Sequence, residues 1–383
     1  MLQRRQLLTA LAAVPIAPSW GNERRTLRVG PLEAIRSLSQ AARLARNGDH
    51  IEVQAGDYRA DVAAWPQNDL SLKALGGRVR MLAQGASEQG KGIFVTTGER
   101  IRIEGFDFSG CQVPGGNGAG LRLERGSLSL LDCRFTDNEM GVLTSNDGRV
   151  RLDIDACEFV SSAPRSGGGL NHNLYAGSIA YLRVVGSYFH HGQIGHLLKS
   201  RAAVNHIFYN RLTDEIGGQA SYELEFPNGG QALVVGNLIQ QSSGTENPHM
   251  ISFGAEGLTW PQQELQLINN TLIDRLPNGG IYLRASPGAV KARLLNNLLS
   301  GNSHFVTQDS WELSNNFIVD EDAFVLAARE NYALRPDSVL RGQALDPGSA
   351  GGISLAPTQQ YRHPRGAVAL TQPARHPGAF QLS

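Results

Sequence analysis

VVGNLI at Val234–Ile239, LINNTL at Leu267–Leu272 and LLNNLL at Leu294–Leu299 share one pattern: hydrophobic-hydrophobic-x-small/Asn-x-hydrophobic. Working outward, looser copies are IEGFDF (Ile103–Phe108), LLDCRF (Leu130–Phe135), IDACEF (Ile154–Phe159), VVGSYF (Val184–Phe189), IFYNRL (Ile207–Leu212) and LSNNFI (Leu313–Ile318). The last residues of the nine blocks lie 27, 24, 30, 23, 27, 33, 27 and 19 residues apart. Self-similarity at such a period marks a stacked repeat, and a propeller blade would need a longer one. Each block is apolar and bounded by Gly, Asn, Asp or Ser, which reads as a strand. The spacing suits one coil of three short parallel strands joined by turns, and it aligns residues far apart in sequence into columns.

The slot two residues before each block's end holds Phe106, Cys133, Cys157, Ser187, Asn210, Asn237, Asn270, Asn297 and Asn316 in turn. Consecutive Asn residues predict a ladder of buried amides, tolerable only when each pairs with its neighbours above and below. Cys133 and Cys157 share this slot in adjacent repeats and read as small packing groups, with a disulfide between coils left open.

Composition agrees. The chain has 44 Gly, four Met and 18% charged residues, which suits a turn-rich β protein over a helical bundle. Lys plus Arg total 35 and Asp plus Glu total 35; without a basic block, nucleic-acid binding is disfavoured. Arg4-Arg5 followed by the apolar run Leu7–Ala17 and small residues predicts an export signal over residues 1–19. It is of twin-arginine-like or Sec type, and places the protein in the periplasm or outside the cell. No other segment has the apolar length of a membrane span. Residues 20–383 are then one elongated body, expected to be monomeric.

Residues 33–46 have helical spacing, and ARNGDHIEVQAGDY (Ala45–Tyr58) follows them. With the Asn ladder, these features resemble right-handed parallel β-helix proteins of the pectate-lyase-like superfamily. That resemblance implies an all-β, right-handed single-stranded parallel β-helix with an N-terminal capping helix. The tail from Asn331-Tyr332-Ala333-Leu334 to Pro377-Gly378-Ala379-Phe380 resembles the superfamily's closing segment, here 319–383. Lyases, hydrolases, epimerases and adhesins share this fold, so function must be argued from a site.

A second strand following each block aligns on Leu174, Leu198, Leu224, Ile251 and Ile281. Alternation then puts Tyr175, Lys199, Glu225, Ser252 and Tyr282 in one exposed column and Asn173, Leu197, Glu223 and Met250 in another. Arg201 follows three positions on, and His172, His196, Tyr222 and His249 stand at the preceding turn. This concentration of titratable side chains suggests a site, although a stacked Lys–Glu pair is also what any exposed sheet face carries.

The leading reading is a polysaccharide lyase acting on a uronate polymer by β-elimination. Arg201 holds the substrate carboxylate, Lys199 abstracts the proton, and Tyr175 or His172, with His196 beside them, serves the leaving oxygen. Tyr222, Asn173, Tyr282 and Trp260 would contact the sugar chain, and Glu223 with Glu225 could hold Ca²⁺, as oxygen ligands suit it. Two alternatives stand beside it. One is an inverting glycoside hydrolase using Glu223 and Glu225, since residues i and i+2 lie about 6.8 Å apart on a strand. The other is a non-catalytic glycan-binding protein. A transition metal on His172, His196 and His249 is weighed against by Tyr222, which separates the last two. The Gly254–Pro261 insertion and the Pro164–Gly169 loop would wall the groove.

Overall fold

The computed structural model describes residues 24–160, 171–288 and 290–382. The export signal expected at 1–19 and the Pro164–Gly169 loop therefore lie outside the described residues. The repeats stack as a parallel β-solenoid with three ladders. The first runs from Thr26–Val29 to Glu312–Ser314, the second from the end of His50–Arg59 to Phe317–Ile318, and the third from Ala63–Trp65 to His304–Phe305. The third ladder has ten strands, one for each turn, while the first two merge around a corner into one sheet of 21. Among the described residues, no helix is long and apolar enough to cross a membrane.

The repeat predicts the register. The first residues of the blocks pair in one unbroken column, Ile103 to Leu130, Ile154, Val184, Ile207, Val234, Leu267, Leu294 and Leu313. The last residues do the same from Phe108 to Ile318. Phe108, Phe135, Phe159 and Phe189 stack there with centroids 5.2, 4.9 and 4.5 Å apart, adding aromatic contact to apolar burial.

A block is not one strand, however, but two that meet at a corner. In all nine, the third residue has φ between 50° and 83°, the left-handed turn that swings the chain from the first ladder into the second. The fourth residue then points inward as the rung. Asn210, Asn237 and Asn270 each receive the backbone N–H of the rung below, at 2.8, 2.8 and 2.9 Å. Their side-chain amides bond the carbonyls of Val184, Ile207 and Val234. Lower down, Ser187 and Cys157 take the same role through Oγ and Sγ, and the cysteines are free thiols. At the preceding corner position, Asn269, Asn296 and Asn315 form a second, outer amide ladder.

The capping helix is shorter than 33–46. It spans Leu38–Leu44, because Ile35 is drawn into a bridge with Val29. Ser37 caps it, and the Asp61 carboxylate accepts the N–H groups of Leu38 and Ser39, satisfying donors that a helix start leaves open. At the other end the chain makes short antiparallel pairs and runs back along the corners. Leu355 covers an outer apolar strip of Val185, Tyr209, Leu233, Val235, Ile268 and Leu295. Arg365 reaches Asp132 and Glu158 at 2.9 and 2.6 Å.

Candidate active site

The third ladder carries the site. Its inward column pairs Leu174, Leu198, Leu224 and Ile251, and its outward column pairs Tyr175 with Lys199, Lys199 with Glu225, and Glu225 with Ser252. Lys199 Nζ stands 3.1 Å from Glu225 Oε2 and 2.9 Å from Glu256 Oε1. Arg201 Nε donates to the Tyr175 hydroxyl at 2.7 Å, Nη1 to Asn228 Oδ1 at 2.5 Å and Nη2 to Glu256 Oε2 at 2.5 Å. The result is a lattice of two cations and two carboxylates beside a tyrosine hydroxyl.

At the turn feeding this ladder, His172, His196, Tyr222 and His249 form a row of rings, with centroids 4.5, 4.9 and 6.3 Å apart. The His196 N–H donates to His172 Nδ1 at 2.9 Å, and His196 Nδ1 stands 3.0 Å from Glu225 Oε2. Burial, reinforced by the charges of His196, Lys199 and Arg201, holds His172 well below the usual imidazole range. Burial also lowers His196, against the pull of Glu225. Burial would raise Glu225, but His196 and Lys199 outweigh it and keep the carboxyl below its ordinary value. Both imidazoles are thus neutral near pH 7 and Glu225 is ionised.

Three expectations need correction. Glu223 does not share a face with Glu225. It is fully enclosed, with no hydrogen-bond donor to either oxygen, and burial followed by Asp214 and Asp274 raises it well above the carboxylate range. Asn173 also turns inward and donates to the backbone oxygens of Phe159 and His190. The strands here are only three residues long, so alternation does not extend to the residue before them. Tyr282 is completely buried beside Phe305. The register places Leu283, not Ile281, beside Ile251, and Arg284 beside Ser252. Trp260 is half-buried at the edge of the site, its indole N–H donating to the Arg201 carbonyl at 3.0 Å.

The Glu223/Glu225 pair does not fit a hard dication. One carboxylate is sealed away and the other already faces an ammonium and an imidazole, so oxygen ligands do not converge. Among the described residues no group of three His, Cys, Asp or Glu could hold a metal. The same sealing removes Glu223 as a hydrolase carboxylate.

Glu256 and Asn228 join the site without having been singled out in the repeat. Glu256 lies in the insertion that stretches one coil to 33 residues, so no column predicts its position. Only its sign, opposite to Lys199 and Arg201, was a signal. Beside the ring row lies a cleft of about 500 Å³, lined by Ile194, Gln219, Ser221, Thr245, Asn247 and Pro248 among others.

No protein-family model matches the chain, and no curated protein matches it in sequence. Among solved structures, pectate lyase Pel9A superposes with a TM-score of 0.62 at 12% identity, over 94% of this chain and 98% of that one. A PL6 family polysaccharide lyase from Pseudopedobacter saltans gives 0.43 at 11%, over 81% and 96%. The pectin methylesterase from Aspergillus niger gives 0.28 at 12%, over 80% of this chain and 93% of that one. At such identities the likeness is one of fold, and the fold is the pectate-lyase-like parallel β-helix.

Proposed function

We propose that this protein is an exported polysaccharide lyase that cleaves a uronate-containing polymer by β-elimination. The observation that carries the reading is the convergence of Tyr175, Lys199, Arg201, Glu225 and His196 on one face of the solenoid. Likeness to a pectate lyase over almost the whole chain supports it. In the reaction, Arg201 binds the uronate carboxylate through its planar donors. Lys199 takes the proton from the adjacent carbon, the carbon–carbon double bond forms, and the glycosidic carbon–oxygen bond breaks. The Tyr175 hydroxyl delivers a proton to the leaving oxygen. His196, neutral and against Glu225, positions the carboxylate that orients Lys199.

The test is to incubate the mature protein with alginate, pectate, glucuronan and glycosaminoglycans, following ultraviolet absorbance of unsaturated ends. A chelator arm reads any cation requirement separately. Unsaturated product is expected, and Lys199→Ala should lower kcat by about a hundredfold or more while the circular dichroism of the folded β-solenoid is kept. Reducing sugar without absorbance, binding without turnover, or full activity in Lys199→Ala would each overturn the assignment.

A further inference from the structure

The two carboxylates that face Lys199 and Arg201 are held in different ways. The Glu225 side chain is 4% exposed and wedged between Lys199 and His196. Glu256 is 45% exposed, yet its two oxygens bridge Lys199 Nζ and Arg201 Nη2. Its backbone is tied down independently: Glu256 N–H donates to the Pro227 carbonyl at 2.9 Å and Thr259 N–H to the Asn228 carbonyl at 3.2 Å. The indole of Trp260 fastens the same loop to Arg201. The Glu256 side chain can therefore swing into solvent by rotating its own bonds, with the loop left in place. An ion pair with one partner half in water contributes little, so its exchange costs little.

Charge decides what can replace it. Lys199 and Arg201 are balanced by Glu225 and Glu256, and the neighbouring His172 and His196 are neutral. A third carboxylate added to this half-buried lattice would leave it net negative, whereas exchange for Glu256 keeps it balanced. A methyl ester or a neutral sugar carries no charge to make the exchange.

We propose that the Glu256 carboxylate stands in for a substrate carboxylate, occupying the anion subsite of Arg201 and Asn228 until a free-acid uronate displaces it. This rests on the lyase reading and adds to it a selectivity for unesterified uronate, with Glu256 as the group that the free acid displaces. The test uses the full mature protein and its Glu256→Gln and Glu256→Ala variants. Calorimetric titration is done with trimers of galacturonate, mannuronate, guluronate and glucuronate, and with the methyl esters of the acid that binds. Both variants are expected to bind the free acid about fivefold tighter than the parent, to prefer the acid to the ester at least as strongly, and to keep the parent's thermal transition. Equal or weaker acid binding by both variants, where the parent itself binds, overturns the displacement role alone. Failure of parent and variants to bind any trimer overturns the lyase reading together with it.

Discussion

Glu223 shows how far a single side chain can depart from its place in a pattern. Its carboxyl is sealed without a donor, and burial keeps its proton on. Asp214 nearby is pushed up to about 7 by burial, against backbone bonds from Ala220 and Gly192. An unfolded carboxyl ionises near pH ~4. Above that pH the unfolded chain has released a proton that the fold still holds, so stability falls as pH rises. Glu223→Gln keeps the shape and removes this linkage. Its melting temperature should exceed the parent's by about 2 °C or more at pH 8, with the difference vanishing near pH 4. A constant difference across that range would show that the group does not titrate as described. His172 and His196 act in the opposite window. As pH falls through about 6.5, the unfolded chain takes up protons that these buried rings refuse, so parent stability should drop between pH 6.5 and 5. Thermal scans of His172→Asn, in which one such ring is gone, should show a shallower decline. The ring row was legible because four residues recur at one offset. The inward turn of Glu223 was not, because nothing in Glu-Leu-Glu says where a three-residue strand begins.

At the scale of the element, the corner carries the fold. Ala156 sits at φ 51°, where a Cβ costs roughly 1–2 kcal/mol. Gly105, Gly186 and Gly236 fill the same position in other coils. Ala156→Gly should therefore stabilise by about 1 kcal/mol, read as a higher denaturant midpoint. The rung beside this corner tolerates less. Asn237 accepts the Asn210 N–H and donates to the Ile207 carbonyl and Asn270 Oδ1. Asn237→Ala leaves at least two buried backbone groups unpaired at about 1–3 kcal/mol each, and a lowered midpoint of that size is expected. A change within error would mean that water replaces the amide. The sequence motif marked these blocks but read each as a single strand, since apolar pairs on both sides of a bend look continuous until the backbone dihedrals are known.

At the scale of the whole molecule, the closing segment is a strap. It covers the outer strip around Leu233, Val235 and Ile268 and pins coils far from it in sequence through Arg365. Cutting the chain after Gly342 should uncover that strip. Increased binding of a hydrophobic dye and a lower melting temperature are expected, with the third ladder and its site residues still paired. The repeat period by itself determined the parallel solenoid, the three strands per coil, the amide ladder and the neighbourhood of Tyr175, Lys199 and Glu225. Equal spacing stacks equal positions, and strand pairing at one fixed separation does the rest. Only the tertiary structure decided that Glu223, Asn173 and Tyr282 face inward, that Glu256 closes over Lys199 and Arg201, and where the tail lies. Side-chain direction at a corner and the course of an insertion follow from contacts across coils, and no period in the sequence encodes those.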